Sequence, residues 1–189
     1  MKRRPLTALV HELLEPILSD GAVAVDATAG NGHDTAFLAR SVGSGGRVYA
    51  LDIQEAALEQ ARRRLQQGGL LERVRLIRGD HASLLELLGH EHQGRVAAVT
   101  FNLGYLPGGD RSRITSAATT IPALRQATTL LAPSGRLTIL AYVGHSGGRL
   151  EASAVEEWAN ALGSPFGVRE VRPPGTPDQA PRLFVIDRE

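Results

Sequence analysis

The chain has no cysteine, which rules out disulfides and thiolate-held metals and leaves the redox compartment open. It has no excess of charge: 21 basic against 20 acidic side chains give a net charge of +1. Extended, nonspecific duplex binding is therefore not expected, although a local patch can still hold a folded RNA. Lysine is nearly absent, Lys2 being the single one, and the remaining basic residues are arginines. That usage suits phosphate forks and stacking, and it equally reflects genome composition. No apolar run approaches the roughly 18 residues of a membrane span. The basic start Met1-Lys2-Arg3-Arg4 leads into residues 6–18, which carry His11, Glu12 and Glu15 and lack a small-residue cleavage site. This stretch reads as an amphipathic helix, not a signal peptide. A single soluble, cytoplasmic domain spanning residues 1–189 is expected, and 42% hydrophobic residues suffice for its core.

What is present is most concentrated in Val23-Ala24-Val25-Asp26-Ala27-Thr28-Ala29-Gly30-Asn31-Gly32-His33-Asp34-Thr35. The first three residues suit a strand covered on both faces, with Asp26 at its C-terminal edge. Gly30 and Gly32 permit a sharp turn and close approach of a ligand, and a helix begins near Asp34. Ligands of open α/β sheets bind beyond the strand ends, so the site is expected here. A third glycine is lacking: the dinucleotide pattern Gly-x-Gly-x-x-Gly meets Thr35 in its last place. Asp34 is also a poor neighbour for a pyrophosphate. A cationic sulfonium with an amino-acid tail suits Asp26 and Asp34 better. The bland alternative is a plain turn with Asp34 capping a helix.

Two further strands repeat the arrangement. Residues 47–53 end in Asp52, roughly 20 residues past the glycine loop, where a carboxylate accepts hydrogen bonds from ribose hydroxyls. Residues 74–78 lead to Gly79-Asp80-His81, placing another carboxylate within reach of an adenine amine. Each acid alone reads as a helix cap or turn residue. In series they fit an adenosine with a cationic tail. On the helix starting near Glu55, Leu58, Ala61 and Leu65 share one buried face, and Arg62, Arg63 and Arg64 form a solvated one.

The alternation continues with a strand at 95–101, a helix at 119–131, the turn Pro133-Ser134-Gly135, a strand at 136–142 and a helix at 151–162. Strands at 168–171 and 182–186 close the chain around a Pro- and Gly-rich loop. Seven strands ending in an antiparallel hairpin match the α/β sheet of class I S-adenosylmethionine-dependent methyltransferases, a Rossmann-like order 3-2-1-4-5-7-6 with helices on both faces. Chemistry is expected after the fourth strand, at Phe101-Asn102-Leu103-Gly104-Tyr105-Leu106-Pro107-Gly108-Gly109-Asp110. The Asn102 carbonyl oxygen can accept a hydrogen bond from an amine nucleophile, Gly104 permits close approach, and Tyr105 offers a ring for a base. The segment resembles the Asn-Pro-Pro-Tyr motif of amino-methylating enzymes, with Leu103 and Gly104 in place of the prolines.

Asp26 to Thr35, Asn102 to Asp110 and Thr119-Thr120-Ile121-Pro122-Ala123-Leu124 together resemble the family labelled "putative rRNA methylase", over nearly the whole chain from His11 onward. Characterised members of that family are tRNA 5-aminomethyl-2-thiouridine methyltransferases. The resemblance implies methyl transfer from S-adenosylmethionine to the aminomethyl nitrogen of wobble uridine 34, giving 5-methylaminomethyl-2-thiouridine, with the tRNA anticodon loop as partner. Two departures stand out. Tyr142-Val143-Gly144-His145 replaces the family's Tyr-Pro-Gly-His, and Arg172-Pro173-Pro174-Gly175 replaces an Asn before a proline pair. The second bears on the exact nucleoside more than on the reaction.

The expected cofactor contacts are Asp26, Thr28, Gly30, Asn31, Gly32, Asp34, Thr35, Asp52, Ile53, Gln54, Asp80, His81 and Asn102. Asn102, Tyr105 and His145 are the expected catalytic residues, His145 as a proton acceptor, direct or through water, with a loop histidine as the alternative. Leu103, Gly104, Tyr105, Asp110 and Arg111 are the expected substrate contacts, the Leu103 carbonyl sharing with Asn102 the orienting of the amine. No metal is expected, because His33, His81, His90 and His92 show no ligand spacing. A homodimer is left open. Rival readings are a methyltransferase of rRNA or a small molecule, an NAD-dependent oxidoreductase and a noncatalytic RNA-binding module.

Overall fold

Short apolar strands alternate with one-faced helices, so each strand crosses the core once and each helix covers it. In the computed structural model, which describes residues 5–105, 108, 114–177 and 179–189, the helices are α1 (Leu6–Leu14), α2 (His33–Ser41), α3 (Glu55–Gln67), α4 (Leu84–Leu88), α5 (Ala117–Leu130) and α6 (Gly148–Asn160). The strands are β1 (Val23–Asp26), β2 (Arg47–Asp52), β3 (Val74–Arg78), β4 (Val96–Leu103), β5 (Leu131–Ala141), β6 (Phe166–Val171) and β7 (Arg182–Arg188). They form one sheet in the order β3-β2-β1-β4-β5-β7-β6, parallel from β3 to β5, with β7 antiparallel to β5 and β6. This is the class I arrangement expected from the sequence.

Successive strand residues face opposite sides of the sheet. Ala24, Val48 and Ala50 pack with Val10 of α1, Leu38 of α2 and Leu58 of α3. Val25, Leu51 and Phe101 pack on the other side with Leu84 of α4, Leu124 of α5 and Val155 of α6. Strand order reverses between β1 and β4, which opens a crevice above their C-terminal ends. Register sets its rim: Asp26 pairs with both Ala50 and Thr100, and Leu103 pairs with Ala141.

Several boundaries differ from expectation for local reasons. The N-terminal helix stops at Leu14, and the chain passes through a single tight turn, Glu15–Ile17, that contains Pro16. β4 runs two residues past Phe101, so Asn102 lies within a strand. β5 starts at Leu131, and Pro133-Ser134-Gly135 survives inside it as a bulge where the register with β4 shifts between Val96 and Ala98. The five-residue α4 is too short to have announced itself by periodicity.

Candidate active site

A crevice of about 610 Å³ opens above the ends of β1, β2, β3 and β4. The glycine loop forms one wall, and its residues divide the work. Asp26 is fully buried; it accepts a 2.6 Å hydrogen bond from the Thr35 hydroxyl and a 3.2 Å bond from the Thr28 backbone N–H. Burial, helped by the charge of Asp34, pushes its carboxyl up to about 7. Gly32, at φ +76°, is the N-cap of α2, and a Cβ there would stand 2.7 Å from the Ala61 Cα of α3. The close packing that a third glycine gives dinucleotide folds is here served by Gly32 against α3. Asp26, Gly32 and Thr35 thus shape the loop from behind and are not among the residues that line the crevice.

Thr28, Gly30, Asn31 and Asp34 do line it, as do Asp52, Ile53, Gln54, Asp80 and His81. Asp52 accepts from the Gly30 N–H at 2.9 Å through one oxygen and from the Gln54 N–H at 2.8 Å through the other. A carboxylate has about four acceptor sites, so about two remain for the hydroxyls of a ribose. Burial pushes the Asp52 carboxyl up, and those backbone N–H groups pull it back. Ile53 is exposed as an apolar platform beside it. Asp80 accepts from the Ala82 N–H at 2.9 Å and lines the crevice. His81 is buried edge-on to Phe101, and burial lowers its imidazole below the usual histidine range.

The opposite wall comes from the end of β4 and its surroundings. The Asn102 backbone N–H donates to the Thr28 hydroxyl at 2.7 Å, and its side-chain amide donates to Asp34 at 2.6 Å. The other Asp34 oxygen lies 2.6 Å from the ring nitrogen Nε2 of His11. A carboxylate only accepts, so the nitrogen end of the Asn102 amide is fixed toward Asp34 and the oxygen end is left for a donor in the crevice. Gly104 and Tyr105 also line the crevice. Leu103 does not: it is fully buried and its carbonyl takes the Tyr142 N–H at 3.0 Å. His145 also stands outside the crevice lining. Its ring stands edge-on to Tyr105 at 6.1 Å, behind Gly104, and lines a separate groove with Arg149 and Leu150 instead of the crevice. Asp110 and Arg111 lie outside the described residues.

Of the crevice residues that sequence reasoning did not single out, two bear on the chemistry. Tyr142 follows β5, and burial raises its phenol above the usual range. The parallel pairing of Leu103 with Ala141 puts it beside Gly104, so strand-end position was a usable signal. His11 reaches the crevice from α1, and nothing in its own segment signals that.

The crevice fits S-adenosylmethionine on its own chemistry. Asp34, Asp52 and Asp80 line it, and among the described residues no lysine or arginine does. Such a lining attracts a sulfonium and repels a pyrophosphate, which disfavours the dinucleotide reading. Two lining residues, Asn31 and His81, each carry a buried side-chain atom, Oδ1 and Nε2, without a hydrogen-bond partner. Such atoms call for a polar ligand. No group of three or more metal-ligating side chains is found among the described residues, and no helix there is long and apolar enough to cross a membrane.

Comparison with known proteins agrees with the geometry. Residues 48–187 match the family described as "Putative rRNA methylase". A tRNA (mnm(5)s(2)U34)-methyltransferase of Arabidopsis thaliana, a chloroplastic protein, is 40% identical over 168 residues, 85% of this chain and 61% of the relative. The chain therefore spans less than two thirds of that relative's length. The crystal structure of a "putative rRNA-methylase" from Clostridium thermocellum superposes with a TM-score of 0.92 at 35% identity, covering 100% of both chains. A "putative methyltransferase" from Streptococcus mutans, solved in complex with SAH, gives a TM-score of 0.86 at 35% identity, again over 100% of both chains. The cytoplasmic location expected from the sequence is corrected by these findings, since the curated plant relative is chloroplastic. Fold, crevice chemistry and similarity converge: the chain belongs to the rRNA methylase family of class I S-adenosylmethionine-dependent methyltransferases.

Proposed function

We propose that this chain methylates RNA, and specifically the primary aminomethyl nitrogen of 5-aminomethyl-2-thiouridine at the tRNA wobble position. The observation that carries the reading is Asn102, held by Asp34 so that its amide oxygen is left for an amine N–H at the rim of an acid-lined crevice. Similarity to the plant wobble-uridine enzyme supports the substrate, and the single-stranded anticodon loop suits a base that must enter a pocket.

Asp52, Asp80, Asn31 and Ile53 would hold S-adenosylmethionine, which when bound supplies an electrophilic methyl group. The remaining chemistry belongs to the chain. An ammonium has no lone pair, so the amine reacts as the free base. Asn102 accepts one of its N–H bonds and so directs the lone pair into the crevice, and orientation of this kind supplies much of the acceleration. Tyr105 and Tyr142, 41% and 40% exposed, flank that point as rings for a pyrimidine. His145 supports the Tyr105 ring from behind.

The test is nucleoside mass spectrometry of tRNA bearing the unmethylated aminomethyl nucleoside, after incubation with the protein and methyl donor. Conversion to 5-methylaminomethyl-2-thiouridine is expected. No product, or methylation of a different nucleoside or of rRNA, overturns the substrate assignment.

A further inference from the structure

The acceptor side of the crevice depends on a residue from the far end of the chain. α1 is anchored by Val10 and Leu14, which are buried in the core, and between them His11 turns toward the crevice. Its ring lies flat on Phe37, with centroids 4.0 Å apart and planes 5° apart. That stacking aims Nε2 at one oxygen of Asp34, at 2.6 Å, while the second oxygen takes the Asn102 amide at the same distance. Three segments of the chain meet in this line: α1, the first turn of α2 and the end of β4.

We propose that His11 is a positioning residue for methyl transfer, fixing through Asp34 the rotation of the Asn102 amide whose oxygen orients the acceptor amine. The inference rests on the functional reading above for the identity of that amine. A carboxylate bonded on one side only can rotate about its Cβ–Cγ bond. Bonded on both sides, it presents a fixed acceptor to Asn102 and so a fixed amide oxygen to the crevice. Small displacements matter here because attack requires an aligned lone pair, and misplacement by about 1 Å costs on the order of 100-fold in rate. His11 itself makes no contact that a bond-forming step requires, so its effect passes through Asp34 and Asn102.

Two substitutions separate this role from simple packing. His11→Phe keeps a ring to stack on Phe37 and removes the N–H; His11→Gln removes the ring and restores an N–H donor. In the positioning role, His11→Phe lowers kcat by about 10- to 100-fold with little change in KM for the methyl donor, and His11→Gln recovers most of the rate. A purely structural role gives the reverse order, with His11→Phe active and His11→Gln impaired, and overturns the proposal. A second readout needs neither cofactor nor substrate. In the free protein the side-chain amide protons of Asn102, assigned by their loss in Asn102→Ala, are expected to be shifted and slow to exchange in wild type and His11→Gln, and to move to free-amide values in His11→Phe. An unchanged Asn102 signal in His11→Phe also overturns the proposal. Failure of wild-type protein to methylate any aminomethyl-uridine strikes the substrate assignment alone, because the amide signal reports on the positioning chain independently of the substrate.

Discussion

The two walls of the crevice are built on different principles. On the cofactor wall, the acids that line the crevice are tied to backbone N–H groups: Asp52 to Gln54 and, 22 residues away, to Gly30, and Asp80 to Ala82. On the acceptor wall, side chains hold one another across long stretches of sequence: Asn102 bonds Asp34 at a separation of 68 residues, and Asp34 bonds His11 at 23. The first design makes each carboxylate a rigid acceptor once its turn has formed and, for Asp52, once the glycine loop has docked beside β2. The second needs the whole tertiary structure before the amide of Asn102 points anywhere. Binding thus rests on backbone donors and orientation on side chains, and the two walls should fail in different ways when cut.

The largest expected effects make that contrast directly. Asp52→Ala should weaken SAH binding by about 100-fold in calorimetry, because it removes charge-assisted acceptors for a ribose and strands two backbone donors. Asn102→Ala should leave SAH affinity within a few-fold and lower kcat on tRNA by about 100-fold. Equal losses of affinity in both variants would erase the distinction between the walls. Next comes the loop that joins them. Gly32→Ala places a Cβ against Ala61 at positive φ, and left-handed strain plus overpacking should cost about 2–4 kcal/mol, lowering Tm by roughly 5–10 °C.

A smaller effect concerns pH. Asp26 has its carboxyl raised from 3.8 to about 7 in the folded protein. The folded state therefore holds a proton that the unfolded state has lost, and stability should fall as pH rises through that window, by at most about 1.4 kcal/mol per pH unit. Burial raises Asp52 in the same sense, while the lowered His81 acts in the opposite sense. The informative quantity is accordingly the difference between wild type and Asp26→Asn in denaturant titrations from pH 4 to 7, and Asp26→Asn should have the flatter profile. Least of all, Arg63→Ala removes an exposed pair with Glu59 on the solvated face of α3 and should change stability by under about 0.5 kcal/mol and tRNA affinity not at all. A marked loss of tRNA binding would move the RNA contact to that face.

The contrast between walls also explains what was legible in the sequence. The order of the sheet followed from alternating strand and helix patterns, and the places of Gly30, Asp52 and Asp80 in the crevice followed from their positions at strand ends. Asp26 reads like Asp52 in the sequence, because both end a strand; its bonds to the Thr35 hydroxyl and the Thr28 N–H, and so its burial, were not legible there. Leu103 carries a carbonyl that belongs to the β4–β5 ladder, whose extent past Phe101 the sequence did not signal. His11 was invisible, since a histidine on an amphipathic helix reads as a solvent-facing residue until Phe37 and Asp34 are brought beneath it.

Among the described residues no lysine or arginine lines the crevice, and that bears on turnover. Donation of the methyl group converts a sulfonium into a neutral thioether, so the spent cofactor carries one positive charge fewer than the one that entered. Asp34, Asp52 and Asp80 then face a ligand they attract less strongly, while their own charges are unchanged. The acids that draw in the donor thereby favour exchange of the used molecule for a fresh one, and inhibition by accumulated product should ease as a result.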